Sequence, residues 1–240
     1  MMQDLVKIVA GVVIMLLLDG CSMHRAAKVK APETVVILGN SIVRHGPSEA
    51  LGWYGDWGMA ASAESLDFVH VLERKIRSAK PHSKVIGGNL YTFERDYVNF
   101  NTAELDPFRD ADLLILKFSE NVDAGLIEKQ DFKKHYLRIL DNLTAGKPRK
   151  IVLADGFWAS PVNDVVRAIA DERKFPFVQL HDLSRDSLMT AKGLFKHTGV
   201  ANHPSDKGMA AIADRIWEKI EVYYTGRNRQ NENSLKRRRR

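Results

Sequence analysis

From Thr34 to Tyr224 the apolar positions fall into two alternating rhythms. "TVVILG" at Thr34, "ADLLILKF" at Ala111 and "KIVLAD" at Lys150 are short runs with almost no polar interruption, as in strands buried on both faces of a sheet. "SKVIGG" from Ser83 and "FPFVQL" from Phe175 read the same way. Between them the period changes to that of a helix. Leu66, Val69, Leu72 and Ile76 share one face of Ser62–Ala79, with Glu73, Arg74 and Arg77 on the other. "LIEKQDFKKHYLRILDNLTA" is a second helix, closed by Gly146 and Pro148. "SPVNDVVRAIADERK" is a third, with Ser160 as its N-cap and Pro161 in its first turn. "HPSDKGMAAIADRIWEKIEVYY" opens the last. Strands separated by helices predict a central parallel sheet of about five strands with helices on both sides, a three-layer α/β/α sandwich of the flavodoxin-like kind.

A chain of 240 residues, 45% hydrophobic, can bury one large core. The pattern assigns residues 34–225 to that domain, 1–21 to a leader, 22–33 to a polar linker and 226–240 to a basic tail. The net charge of +6 does not describe the domain: the last fourteen residues hold seven Arg or Lys against one Glu, so the body is neutral. A solvated run such as "KRRRR" gives no reason to read the fold as a nucleic-acid binder.

In the leader, Lys7 precedes an apolar run from Ile8 to Leu18, too short to span a bilayer, which needs about 20 residues, but suited to an export signal. "LLLDGC" resembles the lipobox of bacterial lipoproteins, with Cys21 as the lipidated residue and Asp19 as an atypical neighbour. This places the protein in the bacterial cell envelope, on a membrane through its lipid; the alternative is a secreted protein. Cys21 is the only cysteine, so no intrachain disulfide supports the fold.

In folds of this class ligands bind at the carboxyl ends of the strands. Gly39, Asn40 and Ser41 follow the first strand, Ser119, Glu120 and Asn121 the third, and Asn202, His203 and Pro204 precede the last helix. A hydroxyl, an amide and an imidazole on three loops are the ingredients of acyl transfer. A serine hydroxyl needs a base to take its proton, and an imidazole titrates near the working pH. The tetrahedral intermediate needs donors: the Asn121 amide, with Gly58 and the Ser41 main chain as sources of N–H groups.

Together these residues resemble the SGNH hydrolases, the GDSL esterase and lipase superfamily. "LGNS" matches the first block with Ser41 as nucleophile, "GDWGMAAS" the second with Gly58, "SENV" the third with Asn121, and "NHPSDKGM" the fifth with His203. The resemblance implies a cofactor-free serine esterase, a monomer acting on short acyl esters such as O-acetyl groups on a glycan. Two departures stand out. Asn40 replaces the usual aspartate of the first block, a change that leaves turn formation intact. Val200 occupies the position, three before the histidine, where the family carries its triad aspartate. Asp182, after the fifth strand, is the candidate substitute; the alternative for it is a helix cap. With Val200 in view, a glycan-binding protein without turnover and an O-acyltransferase stay open beside the esterase.

Trp53 and Trp57 in the second-block loop, and Trp158 after the fourth strand, are candidates for stacking on a sugar ring, with packing beneath the loops as the alternative. The histidines show no zinc-ligand spacing. "IGGNLY" lacks a dinucleotide fingerprint, and its two glycines are expected to turn the second strand sharply.

Overall fold

The computed structural model describes residues 30–146 and 149–226. Cys21, the leader, most of the linker, Pro148 and the tail beyond Gly226 lie outside the described residues. Five parallel strands, β1 (Thr34–Gly39), β2 (Lys84–Asn89), β3 (Leu113–Leu116), β4 (Lys150–Ala154) and β5 (Phe177–Val178), form one sheet in the order β2-β1-β3-β4-β5. Its register pairs Leu38 with both Gly88 and Leu116, and Leu116 with Leu153. This is the flavodoxin-like order, in which the chain runs outward from β1 in one direction and then returns to build the other half. The crevice between the carboxyl ends of β1 and β3 is therefore left open by the crossovers.

Alternation along the strands sorts two cores. Val36, Leu38, Leu114 and Leu116 face α3 (Phe132–Thr144) and α4 (Pro161–Arg173) on one side. Val35, Ile37, Leu113 and Ile115 face α1 (Phe68–Ala79) and α6 (Asp206–Ile220) on the other. All four residues of β3 are fully buried, each contributing about 1.5–3 kcal/mol through loss of apolar surface. Three further helical turns, α2 (Tyr91–Arg95), α5 (Thr198–Ala201) and α7 (Val222–Thr225), complete the α-helices among the described residues.

Several element boundaries differ from the sequence expectation, each for a local reason. The first helix begins at Phe68, not Ser62, because the Asp67 side chain accepts the His70 N–H as its N-cap, and a separate 3-10 turn occupies Glu64–Leu66. The helix expected from Leu126 begins at Phe132, since Asp131 takes a left-handed φ of 48° that no continuous helix can pass through. Ser160 and Pro161 open α4 as expected, the Ser160 side chain accepting the Val162 N–H. The fifth strand is only two residues long, because Leu180 N–H turns to the Asp155 carboxylate instead of a strand partner. Nor do Gly87 and Gly88 turn the chain. Both pair within β2, and a Cβ on Gly88 would stand 2.7 Å from Leu38 Cδ2 and 2.8 Å from Phe108 Cζ, so space is what that position supplies.

Gly39, the last residue of β1, is equally constrained. A Cβ there would lie 2.6 Å from Val43 Cγ2 and 2.7 Å from the Lys117 carbonyl oxygen. Gly39→Ala is expected to destabilise the fold by about 1–3 kcal/mol, read as a lower urea midpoint at unchanged m-value.

Candidate active site

The turn after β1 is built from Asn40. Its carbonyl accepts the Val43 and Arg44 N–H groups, and its side-chain Oδ1 accepts the Ile42 N–H at 3.1 Å. This lifts Ser41 out of the strand end into the crevice beside β3. His203 arrives from the loop before α6, where Ser205 caps the helix by accepting the Gly208 N–H. Ser41 Oγ lies 2.8 Å from His203 Nε2. The other ring nitrogen, Nδ1, lies 2.7 Å from the carbonyl oxygen of Gly199. A carbonyl can only accept, so Nδ1 carries the proton and donates, and Nε2 presents a lone pair to the serine O–H. Burial pushes the imidazole down to about 4, against the Gly199 carbonyl and the Glu120 charge, which both favour the protonated ring. The neutral form is thus the resting form. Trp158 stands edge-on to the imidazole, ring centroids 5.5 Å apart, and closes one side of it.

Asp182 is not the orienting acid. Both of its oxygens accept from the Arg215 guanidinium, at 2.5 and 2.8 Å, which holds its carboxyl well below the usual range, and the place facing His203 Nδ1 belongs to Gly199. Nor does Asp182 cap the following turn through its side chain. Gly58 also departs from the expected role. Its N–H donates to the buried Asp67 carboxylate at 3.0 Å and is not available to an oxyanion. What position 58 requires is closeness: a Cβ would meet the Ile42 carbonyl oxygen at 2.7 Å, while the next residue's N–H, of Met59, holds the Ser41 carbonyl at 2.8 Å. The loop braces the serine turn from behind.

Asn121 lines the same cleft, of about 610 Å³, as Ser41 and His203. One of its amide hydrogens goes to Glu94 Oε2 at 2.7 Å, and its Oδ1 accepts from Arg95 at 3.2 Å. The second amide hydrogen is the donor left for a ligand. The Ser41 N–H has no acceptor among the described residues and belongs to the same turn that presents Oγ.

Beneath these groups lies a cluster that sequence reasoning missed. Glu94, on α2 and 1% exposed, accepts from Asn40 Nδ2, the Ser119 N–H and Asn121 Nδ2. Glu120 accepts from Asn40 Nδ2 at 2.7 Å, from the Phe157 N–H at 2.9 Å, and from the buried Lys117 ammonium. Burial and the neighbouring Glu120 charge push the Glu94 carboxyl up to about 7. Asn40 donates to both acids at once. The aspartate usual at this position has no donor to offer when ionised and would add a third carboxylate to the cluster, so the asparagine and the two glutamates form one unit.

Of the three tryptophans, Trp53 is buried: its Nε1 donates to the His45 carbonyl, and its ring packs against Trp57 and Phe195. It is packing, not a stacking platform. Trp57 donates to the Ala61 carbonyl and lines a different groove, with Arg44 and His70. Trp158 alone of the three touches the site. Among the described residues, no three His, Cys, Asp or Glu side chains come together as a cation site would need.

No family model and no curated protein matches the chain. Solved structures do. A two-domain esterase active on acetylated mannans is 18% identical with a TM-score of 0.57, over 80% of this chain and 50% of that one. LAE5, an alpha/beta hydrolase enzyme from the metagenome of Lake Arreo, Spain, is 18% identical with a TM-score of 0.54, over 81% and 97%. The chain shares with these hydrolases a three-layer fold around a five-stranded parallel sheet. A single-substitution variant of Axe2, an acetyl xylan esterase from Geobacillus stearothermophilus, is 17% identical with a TM-score of 0.50, over 80% and 96%. The chain spans about half the length of the two-domain mannan esterase.

Three outcomes test the electrostatics. If neutral His203 is the base, kcat/KM for an ester substrate should fall on the acid side with an inflection near pH 4, instead of the 6.5 of a free imidazole, because only protonation of the buried ring removes the lone pair. Above it, activity should rise again through a shallow step near pH 7 as Glu94 ionises and accepts the Asn121 amide fully. Glu94→Gln, which sets an amide donor against donors from Asn40, Ser119 and Asn121, should erase that upper step and lower kcat by roughly 10- to 100-fold.

Proposed function

We propose that the chain is a serine esterase of the SGNH type that removes short acyl groups, acetyl foremost, from the hydroxyls of a glycan. The observation that carries this reading is the 2.8 Å contact between Ser41 Oγ and an imidazole whose other nitrogen is committed to a carbonyl. Ser41 attacks the ester carbonyl as its proton passes to His203 Nε2. The oxyanion is met by the second Asn121 amide hydrogen and the Ser41 N–H. Collapse expels the alcohol, which takes the proton back from His203, and leaves an acyl group on Ser41. Water, deprotonated by the same nitrogen, then releases the acid. The proposal includes export and lipid attachment at Cys21, supported by the leader pattern alone. The acetyl group and the glycan are suggested by the mannan and xylan esterases whose fold the chain shares.

A carbonyl in place of the triad carboxylate orients the ring but gives the imidazolium a dipole, not a full charge. Slower turnover than a complete triad follows, without loss of the nucleophile. A fluorophosphonate probe should label the wild-type protein and not Ser41→Ala. Asn121→Ala should retain labelling at a reduced rate and hydrolyse 4-nitrophenyl acetate with kcat lowered roughly 10²- to 10³-fold. Absence of both labelling and hydrolysis in the folded wild type would overturn the esterase and favour a binding protein.

A further inference from the structure

We infer that the ester this cleft takes carries a carboxylate close to the scissile bond, and that Arg95 with Tyr91 forms the subsite that reads it. The inference rests on the esterase reading and adds a substrate class to it. No Asp or Glu lines the cleft around Ser41, whereas Arg95 does, together with His45 and His197. Arg95 is exposed, and among the described residues its one polar contact is the 3.2 Å hydrogen bond to Asn121 Oδ1. Arg44, Arg109 and Arg215 are paired with acids, Asp56, Asp106 and Asp182, while Arg74, Arg138 and Arg167 bond carbonyl or amide oxygens and have no acid partner among the described residues. The guanidinium in the cleft has no acid partner either. It keeps donors for a planar anion within one residue of the oxyanion donor, and a guanidinium binds a carboxylate through two parallel N–H bonds.

Tyr91 precedes Arg95 by four residues on α2, so the two side chains leave the helix one above the other. Tyr91 is 52% exposed and lines the same cleft. An aromatic face next to an unpaired guanidinium suits a sugar ring bearing a carboxylate. Glu94 and Glu120, the acids that hold the cluster beneath Asn121, do not cancel it. They are buried and saturated by Asn40, Asn121, Lys117 and main-chain donors. An acetylated uronic acid places its carboxylate on the alcohol side of the ester, and a dicarboxylic half-ester places one on the acyl side; both share the chemistry that Arg95 recognises.

Two matched pairs separate these sources. Methyl glucuronoside acetate is compared with methyl glucoside acetate, and 4-nitrophenyl hemisuccinate with 4-nitrophenyl acetate. The wild type should favour the carboxylate-bearing member of at least one pair by roughly tenfold or more in kcat/KM, chiefly through KM, with the preference shrinking as salt is added. Arg95→Gln should abolish that preference. Equal rates within both pairs would overturn the inference and leave the esterase standing. So would an equal fall for charged and neutral esters in Arg95→Gln, which would make Arg95 only a support for Asn121. Calorimetric titration of Ser41→Ala with methyl glucuronoside, methyl glucoside and succinate removes the dependence on turnover. Binding of either carboxylate that disappears in the Ser41→Ala, Arg95→Gln double variant supports the subsite even if no ester is hydrolysed. Where no ester is hydrolysed, absence of selective binding refutes it.

Discussion

The site depends on two buried carboxylates held under the crevice between β1 and β3. Glu94 and Glu120 reach four of the loops that leave the sheet: Asn40 after β1, α2 after β2, Ser119 and Asn121 after β3, and Phe157 after β4. Loops of this kind are ordinarily the least fixed parts of an α/β fold. Here they share acceptors, so moving one exposes a charge that the others must compensate. A buried ion pair such as Lys117–Glu120 adds little net stability, because desolvation offsets most of the attraction. Its effect is positional. Breaking any contact leaves an unpaired buried group, and that penalty confines Asn121 and the serine turn to one arrangement. Catalytic geometry demands such confinement more than it demands stability.

The sheet was legible because its strands are buried on both faces and so read as uninterrupted apolar runs, and because the caps at Ser160 and Ser205 have side chains that announce themselves. That Ser41, Asn121 and His203 meet in one cleft was legible for a topological reason: they follow or precede elements whose ends the strand order brings together. The clamp was not. Glu94 sits in "YTFERD", where a charged residue in a short polar segment looks like a solvated surface position, and nothing local says that it is 1% exposed. Rigorous attention to the end of every strand would have reached Tyr91 and Arg95, because they follow β2 as directly as Asn121 follows β3. Gly199 leaves no trace at all, since its function lies in a main-chain carbonyl, and any residue of compatible conformation has one. Gly58 misled for the opposite reason: a glycine in the right block looked like a donor, while its N–H was already spent on Asp67.

Packing accounts for a valine in place of an acid at position 200. Val200 is 1% exposed and sits in a cluster with Trp53, Met59, Ala60 and Ala191. An aspartate at that position would have to ionise among apolar side chains, where burial raises its pKa and favours the neutral form, which is useless for stabilising an imidazolium. The chain has instead turned the backbone of α5 so that the residue just before Val200 offers its carbonyl to Nδ1. That exchange explains the state of the ring. Without a neighbouring carboxylate, burial dominates, and the imidazole rests neutral far into the acid range. In the proposed esterase, such a neutral, correctly tautomeric imidazole would accept the serine proton at any physiological pH, but the positive charge it then acquires would be less well compensated. The nearest negative charge is Glu120, and Lys117 opposes it. The same buried cluster that fixes the serine turn and Asn121 therefore also sets how much charge the imidazole can carry.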